Sequence, residues 1–344
     1  MSDETKVVVV TGAGAGAGRA IAARFGAERW GVALLSRGQE RLAAAQREIE
    51  ALGGEALPIP TDVSDKDAVY AARDQVMERW GHIDAWVNCA MATLVGPIHQ
   101  LAVEDFKRVV EVTLMGYVHG AKAALEVMRP RNAGAIVQVG SALAYRAIPL
   151  QSAYCACKFA IRGFTDSLRA ELIHEGSAIT VSMLQMPGMN TIQFDWARNL
   201  LKDRYQPVGD VFDPRVAAEA AWRAVRDGPR ELWVGGSAIQ AIVGEMVCPP
   251  LLDRMVAKSG FEQQISHTPE NPDRPDNLYD PVNWNVGARG RFGDRAKPRA
   301  LTVDGVRFRG VLAAAALGLG AALTASAFAA GRRTASRTSP IFSG

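Results

Sequence analysis

The amino-acid sequence predicts a doubly wound α/β fold, in which a parallel sheet of seven strands carries helices on both faces. The main observation is an alternation: up to about residue 240, short β-branched or apolar runs are separated by longer segments with the period of an amphipathic helix. Such βαβ units place successive strands parallel to one another. The composition agrees, because 48% of the 344 residues are hydrophobic and 22% are charged, which excludes a wholly disordered chain.

The predicted strands are short, and helical segments separate most of them. The strands are placed near Lys6–Val10, Val32–Leu35, Ala56–Ile59, Ile83–Val87, Ala135–Val139, Thr180–Gln185 and Leu232–Val234. The helices are placed near Gly16–Arg29, Gln39–Leu52, Asp65–Trp80, Val103–Met128, Ser152–Glu175 and Pro214–Asp227. This order predicts right-handed crossover connections over both faces of one sheet.

Four parts are predicted along the chain. Residues 1–260 form the domain that contains the sheet. Residues 261–309 are rich in Pro, Asn, Asp, Gly and Arg and poor in large apolar residues, so they are predicted to be a linker that cannot form a core. Residues 310–331 carry no charge and are predicted to form an apolar helix, and residues 332–344 are a basic tail.

Charge and cysteine content narrow the class of protein. The net charge of +3 is too small to indicate a nucleic-acid partner, and ten Lys and Arg residues but only two Asp residues follow residue 284. Four cysteines without metal-ligand spacing indicate a reducing compartment. Only five residues precede the first apolar run, which leaves no room for a signal peptide. A cytoplasmic protein without a metal site is therefore expected.

A glycine-rich turn follows the first predicted strand, from Thr11 to Gly18. Gly12, Gly16 and Gly18 stand where the strand passes into a helix. Glycines at this point let a dinucleotide pyrophosphate approach the backbone and the positive end of the helix. A tight strand-to-helix turn without a ligand is the alternative, but the alternating pattern around the motif favours a dinucleotide site.

The end of the second strand indicates which dinucleotide binds. Ser36 and Arg37 stand there, where an acidic residue would accept a hydrogen bond from the 2′-hydroxyl of the adenosine ribose. A planar arginine cation matches a 2′-phosphate instead. The sequence therefore favours NADP over NAD, with an ordinary solvated arginine as the alternative.

A tyrosine and a lysine four residues apart, Tyr154 and Lys158, stand at the start of a predicted helix. This spacing puts both side chains on one helix face. Ser141 lies just past the fifth predicted strand, at the carboxyl edge of the sheet where ligands of such folds bind. The three residues are the predicted catalytic group. The alternative is a packed tyrosine beside a lysine that extends toward solvent.

Together these motifs resemble the short-chain dehydrogenase/reductase family, in its shorter single-domain branch, over about residues 5 to 240. Besides the glycine motif and the Ser–Tyr–Lys set, the matching motifs are Asp62-Val63, Asn88-Cys89-Ala90 and Pro187-Gly188-x-x-Thr191. The resemblance implies a Rossmann fold in which Asp62 and Val63 contact the adenine. It also implies that Asn88 supports the cofactor and the central strand. The nicotinamide carboxamide would be lined by Pro187, Gly188 and Thr191.

The resemblance also implies a reaction. Tyr154 would act as general acid and base on a carbonyl or alcohol, with a phenol pKa lowered by the Lys158 ammonium and the oxidised nicotinamide. Lys158 would hold the ribose hydroxyls, and Ser141 would hydrogen-bond the substrate oxygen. The prediction is an NADP-preferring oxidoreductase acting on a ketone, aldehyde or secondary alcohol. A non-catalytic dinucleotide-binding sensor or scaffold of the same fold is the alternative.

Three positions depart from the family's pattern. Thr113 stands where the family usually has the asparagine of a proton relay to the lysine, so the resemblance adds it to the predicted catalytic residues. Its hydroxyl reaches less far than an amide. Met91 adds bulk near the cofactor, where the usual motif ends in glycine. Ala15 occupies a position where NADP enzymes of the family often carry a basic residue, which weakens the argument from Arg37.

The segment from Met189 to Phe212 is predicted to cover the substrate. Its large apolar residues are Phe194, Trp196, Leu200, Leu201, Tyr205 and Phe212. An apolar lid would indicate a lipophilic substrate, and ordinary core packing of the segment is the alternative. The family resemblance also implies a homodimer or homotetramer, paired through the helices near Val103–Met128 and Ser152–Glu175.

The last prediction from sequence is a membrane contact. Val311–Ala330 contains 20 uncharged residues, which as a helix would span about 30 Å, the thickness of a hydrocarbon core. Arginines flank it on both sides, as suits anionic head groups. Its many alanines make only a marginal span, and a helix–helix contact or a loosely ordered tail is the alternative. A cytoplasmic enzyme tethered to a membrane is therefore expected.

Overall fold

The computed structural model describes residues 5–284, 286–315 and 317. The chain divides into two compact units, Met1–Thr302 and Val303–Gly344. The first unit contains a large sheet whose seven predicted strands are all formed. They are β1 Val7–Thr11, β2 Gly31–Ser36, β3 Glu55–Pro60, β4 Ala85–Asn88, β5 Ala135–Val139, β6 Thr180–Gln185 and β7 Glu231–Val234. The predicted α/β class is confirmed.

Seven of the longer helices lie between these strands, where helices were predicted: α1 Gly16–Ala27, α2 Gln39–Ala51, α3 Lys66–Trp80, α4 Val103–Val110, α5 Gly116–Met128, α6 Ser152–His174 and α7 Arg215–Asp227. Two more, α8 Gly236–Val247 and α9 Pro249–Ser259, follow β7 and were not predicted. The predicted helix over Val103–Met128 is interrupted between α4 and α5 by a π-helical turn, Glu111–Met115. Such turns insert one residue into the helical ladder and are frequent at functional sites.

The seven strands lie in the order β7-β6-β5-β4-β1-β2-β3, and their pairings are parallel. The chain builds outward from β1 to β3 and then returns to the other side of β1 at β4. The order therefore reverses between β1 and β4, and ligands of open α/β sheets bind beyond the carboxyl ends of the strands at such a point. An eighth strand, β8 Thr302–Asp304, begins at the edge of the same sheet, so the sheet is larger than predicted.

The core consists of two layers, one on each face of the sheet. In β1, Val8 and Val10 belong to one apolar cluster, and Val7 and Val9 belong to the other. The first cluster includes side chains of α1, α2 and α7, and the second includes side chains of α3, α5 and α6. A parallel sheet covered on both faces needs strands that are apolar throughout, which explains the run of four buried valines.

Residues 261–309 are predicted to be a linker, but in the structure they pair with strands of the domain and bury several side chains. Ile265–Pro269 pairs with Asp203–Tyr205, and Ala296–Lys297 pairs with Val211–Phe212. Leu278, Val282 and Phe292 are buried. This stretch is ordered although it has few apolar residues, because those residues pack against apolar side chains of residues 1–260. The first compact unit accordingly extends to Thr302.

Of the second unit, the structure describes residues 303–315 and 317. Residues 305–315 are helical, and the Asp304 carboxylate caps the helix by accepting from the backbone N–H groups of Val306 and Arg307. Most of the segment predicted to contact a membrane, Val311–Ala330, lies outside the described residues, as does the basic tail. Among the residues that are described, no helix has both the length and the apolar character needed to cross a bilayer.

Candidate active site

A deep cleft opens at the carboxyl ends of the central strands. Most of the predicted site residues line it: Gly12, Gly16, Gly18, Arg37, Asp62, Val63, Ser141, Tyr154, Lys158, Pro187, Gly188 and Thr191. Asn88 and Thr113 are fully buried and are not among the residues that line the cleft. The cleft therefore brings together groups that are up to 179 positions apart in the chain.

Two glycines of the turn after β1 are required by its geometry. Gly12 has a φ of +72°, and a Cβ on it would lie 2.9 Å from Ala90 Cα. A Cβ on Gly18 would lie 2.3 Å from the Gly12 carbonyl oxygen. Gly12 donates to the Leu35 carbonyl oxygen at 2.7 Å, which holds the turn against β2. The result is a close-packed cradle that ends at the first turn of α1.

Arginines crowd the end of the cleft beside β2 and β3. Arg37 follows β2, and Arg41, one turn into α2, lies with its guanidinium 5.1 Å from the Trp196 ring. The Asp62 carboxylate accepts from Arg108 at 2.6 Å and from Ser64. Burial works to raise the pKa of Asp62, but the hydrogen bonds from Arg108 and Ser64 outweigh it and hold the pKa low. Arg41 and Arg108 were not predicted from the sequence.

Asn88 lies at the end of β4, in the centre of the sheet. Its side chain is fully buried; the amide N–H donates to Gln138 at 2.9 Å, and the carbonyl accepts from Trp86. Thr11 adds a second tie, since its hydroxyl oxygen accepts from the backbone N–H groups of Cys89 and Ala90. These contacts fix β1, β4 and β5 to one another at the floor of the cleft.

Ser141, Tyr154 and Lys158 lie together above β5. Ser141 follows the strand, and Tyr154 and Lys158 stand in the first turns of α6. Burial raises the pKa of the Tyr154 phenol, and the Ser141 hydroxyl, by hydrogen bonding to the phenol, opposes the rise. The predicted lowering of this pKa is thus not seen in the protein alone, because the loss of hydration destabilises the phenolate more than the hydrogen bond from Ser141 stabilises it.

Lys158 is buried, and two oxygens accept from its amine. They are the Val139 carbonyl oxygen at 2.8 Å and the Tyr117 hydroxyl at 3.1 Å. Burial lowers the pKa of Lys158 to about 8. Tyr117, four residues after Thr113 in the chain, was not predicted from the sequence. Its hydroxyl in turn donates to Val139.

The low pKa of Lys158 predicts a pH dependence of cofactor affinity. The lysine is charged below pH 8 and loses its proton as the pH rises through about 8. We expect NADPH affinity to fall up to about tenfold between pH 7 and pH 9, measured by quenching of tryptophan fluorescence. Lys158→Met is the control and should bind weakly at both pH values; a wild-type affinity that stays level would contradict the prediction.

Thr113 lies in the π-helical turn and is fully buried. Its hydroxyl donates to the Ala92 carbonyl oxygen at 2.9 Å and accepts from the Ala92 N–H at 3.0 Å. The hydroxyl proton is therefore directed to the loop after β4, and Lys158 is bound through Tyr117 instead. This geometry gives Thr113 a supporting place in the site.

We expect Thr113→Asn to be tolerated and to keep or raise turnover, because an amide can both donate to and accept from Ala92. Thr113→Val has nearly the same shape but makes neither bond, and should cost about 1–3 kcal/mol of stability. Thermal melting and steady-state rates of both variants measure this. If the asparagine variant fails to fold or to bind cofactor, the pocket is too small for an amide and the prediction is wrong.

The other end of the cleft is apolar. Its walls include Leu143, Ile148, Met186, Met189, Phe194, Val208, Leu252 and Val256. Phe194, in the predicted lid, packs on Tyr205 with ring centroids 4.7 Å apart and on Phe292 at 5.2 Å. Residues of this segment thus pack as a small apolar cluster, and several of them also line the cleft.

No cluster of His, Cys, Asp or Glu side chains among the described residues has a metal-binding arrangement. Cys155 and Cys157 are buried in α6, and burial raises the pKa of each thiol to about 11. Both therefore remain protonated thiols at neutral pH.

A cleft of this kind belongs to the nucleotide-binding oxidoreductases, in which a doubly wound sheet presents a glycine-rich turn to one dinucleotide. The chain is a member of the short-chain dehydrogenase family, whose profile, described as "short chain dehydrogenase", matches residues 6–199. It is thus an oxidoreductase that depends on a nicotinamide dinucleotide, and the family assignment made from sequence is confirmed.

Known proteins similar to this chain agree with the assignment. The "uncharacterized oxidoreductase YxnA" of Bacillus subtilis strain 168 is 30% identical over 280 residues, which cover 80% of this chain and 78% of that protein. The 3beta-hydroxysteroid dehydrogenase 1 of Eggerthella lenta is 34% identical and matches 64% of this chain and 86% of its own. An alcohol dehydrogenase structure from Thermococcus sibiricus, complexed with 5-hydroxy-NADP, matches with a TM-score of 0.57 and 26% identity, covering 67% of this chain and 96% of that one.

Proposed function

We propose that this protein interconverts a carbonyl and an alcohol by hydride transfer, prefers NADP over NAD, and acts on a lipophilic substrate. The observation that carries the proposal is the placement of Ser141, Tyr154 and Lys158 in the same cleft as the glycine-rich turn. Hydride transfer requires a proton donor or acceptor at the substrate oxygen, and a half-buried phenol beside a serine hydroxyl supplies one.

The cleft fits a dinucleotide. The turn around Gly12 and Gly18 has no room for side chains, as close approach of a pyrophosphate requires. Gly12, Gly16 and Gly18 would hold the pyrophosphate, Asp62 and Val63 the adenine, and Pro187, Gly188 and Thr191 the nicotinamide carboxamide. The nicotinamide ring of the bound dinucleotide would donate or accept the hydride.

Residues of the protein transfer the proton and bind the substrate oxygen. Tyr154 donates its phenolic proton to the oxygen during reduction and takes it back during oxidation. Ser141 donates a hydrogen bond to the same oxygen and so stabilises the negative charge that develops there. Lys158, held by Val139 and Tyr117, orients the ribose and supplies a positive charge near the phenol. Thr113 holds the loop after β4 in place.

The preference for NADP rests on the two arginines beside β2. Arg37 and Arg41 line the cleft together, and no acidic residue ends β2 to accept from a ribose 2′-hydroxyl. Two guanidinium groups at this place suit a 2′-phosphate. The Thermococcus sibiricus neighbour carries an NADP derivative.

The lipophilic substrate rests on the apolar walls around Met186, Phe194 and Val256. A pocket with apolar walls and few polar groups selects ligands by shape and hydrophobic burial. The hydroxysteroid dehydrogenase among the relatives is consistent with a bulky apolar substrate.

The test is NADPH oxidation measured against a panel of ketones of increasing size, from acetone to a 3-ketosteroid, beside cofactor binding followed by tryptophan fluorescence. Turnover that improves with apolar bulk supports the proposal. NADPH binding without turnover on any ketone, or on the matching alcohols with NADP, would favour the non-catalytic sensor or scaffold.

We also propose that the chain forms a homodimer or homotetramer through α4, α5 and α6. The support is four large apolar side chains that are exposed on α4, on α6 and on the π-helical turn between α4 and α5: Val103, Met115, Phe159 and Ile173. Burial of such side chains against a second copy would stabilise an oligomer.

We further propose that Val311–Ala330 tethers a cytoplasmic enzyme to a membrane. Cell fractionation should compare the full chain with a form ending at Gly310, which keeps strand β8. We expect only the full chain to stay with membranes after washes with high salt and with carbonate. A full chain recovered in the same fraction as the shortened form would end the proposal.

A further inference from the structure

Residues 277–282, which we name the strap, cross the adenosine end of the cleft. They lie in the stretch that composition predicts to be a linker. Leu278 is fully buried and Val282 is 5% exposed, so the strap is packed against the domain. Asn277, at its start, lines the cleft, and its backbone N–H donates to the Trp196 carbonyl oxygen at 2.9 Å.

Arginine side chains hold the strap by its backbone carbonyls. Arg37 donates from both terminal nitrogens, to Asn277 and to Tyr279, each at 2.5 Å. Arg41 donates to the Val282 carbonyl oxygen. Arg108, which also pairs with Asp62, donates to the Leu278 carbonyl oxygen at 3.1 Å.

The strap therefore occupies the hydrogen-bond donors that a 2′-phosphate would need. The two terminal nitrogens of Arg37 have the planar geometry that matches a phosphate, but in this structure both donate to carbonyl oxygens of the strap. Asp280 adds a negative charge close enough to Arg37 to act on its pKa. Outside the strap, the Gly287 carbonyl oxygen accepts from Gly16 N–H at 3.3 Å, at the turn that would hold the pyrophosphate.

A phosphate is a stronger partner for these arginines than the strap is. A backbone carbonyl carries no net charge, whereas a phosphate monoester carries about −1.5 to −2 charge at pH 7 and can accept two parallel hydrogen bonds from one guanidinium. Apart from these carbonyl contacts, the strap is held by the Asn277 N–H on the Trp196 carbonyl oxygen and by the Tyr279 hydroxyl on Asp105. Pro281 has no N–H to donate.

We propose that the strap and the 2′-phosphate of NADP compete for Arg37 and Arg41, so that binding of NADP opens the strap while binding of NAD leaves it closed. The inference rests on the proposed preference for NADP. It makes residues 277–282 a determinant of cofactor discrimination, because opening the strap lowers the net affinity for the phosphorylated dinucleotide.

The test uses two ligands that differ only in the 2′-phosphate, 2′,5′-ADP and 5′-AMP, with the full-length protein. Hydrogen exchange of peptides that cover residues 277–282 is followed by mass spectrometry at saturating ligand. We expect 2′,5′-ADP to speed exchange in the strap several-fold and 5′-AMP to leave it unchanged. In Arg37→Gln/Arg41→Gln, we expect fast exchange without ligand and no further change with 2′,5′-ADP.

Binding of both ligands by calorimetry separates the possible failures. If 2′,5′-ADP binds more tightly than 5′-AMP but exchange in the strap does not rise, or rises equally with both, the strap inference is overturned and the NADP preference stands. If the two bind equally, the NADP preference fails and the strap inference with it. The wild-type comparison needs no variant, so it decides the matter even if the double substitution prevents folding.

Discussion

Tyr154→Phe is expected to lower turnover by roughly a hundredfold or more while cofactor binding stays nearly intact. The substitution removes only the hydroxyl, and the ring keeps its packing at the start of α6. Without the hydroxyl, no proton is delivered to the substrate oxygen, and the charge that develops there is held by Ser141 alone. Steady-state kinetics with NADPH and an accepted ketone, beside fluorescence titration with NADPH, measures both parts.

Tyr70→Phe is the matched control, because Tyr70 lies on α3 and is not among the residues that line the cleft. Its kinetics should equal those of the unmodified protein. Turnover retained by Tyr154→Phe would remove Tyr154 from the catalytic group. Loss of NADPH binding together with turnover would show that the phenol serves the cofactor rather than the proton.

Arg37→Asp is expected to weaken NADPH by roughly tenfold or more and NADH much less. The carboxylate repels a 2′-phosphate but can accept from a 2′-hydroxyl. The substitution also breaks the two bonds from Arg37 to the strap. This loosening favours only the cofactor that must open the strap, NADPH, so it opposes the expected loss and a fall in NADPH affinity is due to the phosphate contact. Dissociation constants for NADPH and NADH, measured in parallel, give the ratio directly.

Arg47→Asp makes the same change of charge on the same helix, α2, at an exposed position. It should leave the NADPH to NADH ratio unchanged. If Arg37→Asp weakened both cofactors equally, Arg37 would not meet the 2′-phosphate, and Arg41 would be the remaining candidate for that contact.

The sheet could be predicted because its signal is local. A strand buried on both faces must be apolar along its whole length, and the four valines of β1 carry that pattern in consecutive residues. The glycine-rich turn is equally local, since the clash that a Cβ on Gly18 would make involves a residue only six positions away. Strand and helix bounds therefore agree with the structure to within one or two residues in most elements.

The strap could not be predicted because its bonds do not depend on the identity of its own residues. Backbone carbonyls accept from Arg37, Arg41 and Arg108, and every residue has a carbonyl. The composition of residues 261–309 indicates only that they cannot form a core alone. The contact of Lys158 with Tyr117 was missed for a related reason: the π-helical turn changes the helix face on which the residues after Thr113 lie.

The alternation within β1 has a thermodynamic consequence. Val8 and Val10 belong to one apolar core and Val7 and Val9 to the other. Both cores are therefore built on the same strand, which contributes alternate side chains to each of them. Melting one layer would expose the reverse side of the strands that the second layer packs on. We therefore expect the two layers to unfold together, and a cavity introduced beneath α1 to lower the stability of α6 on the opposite face of the sheet as well.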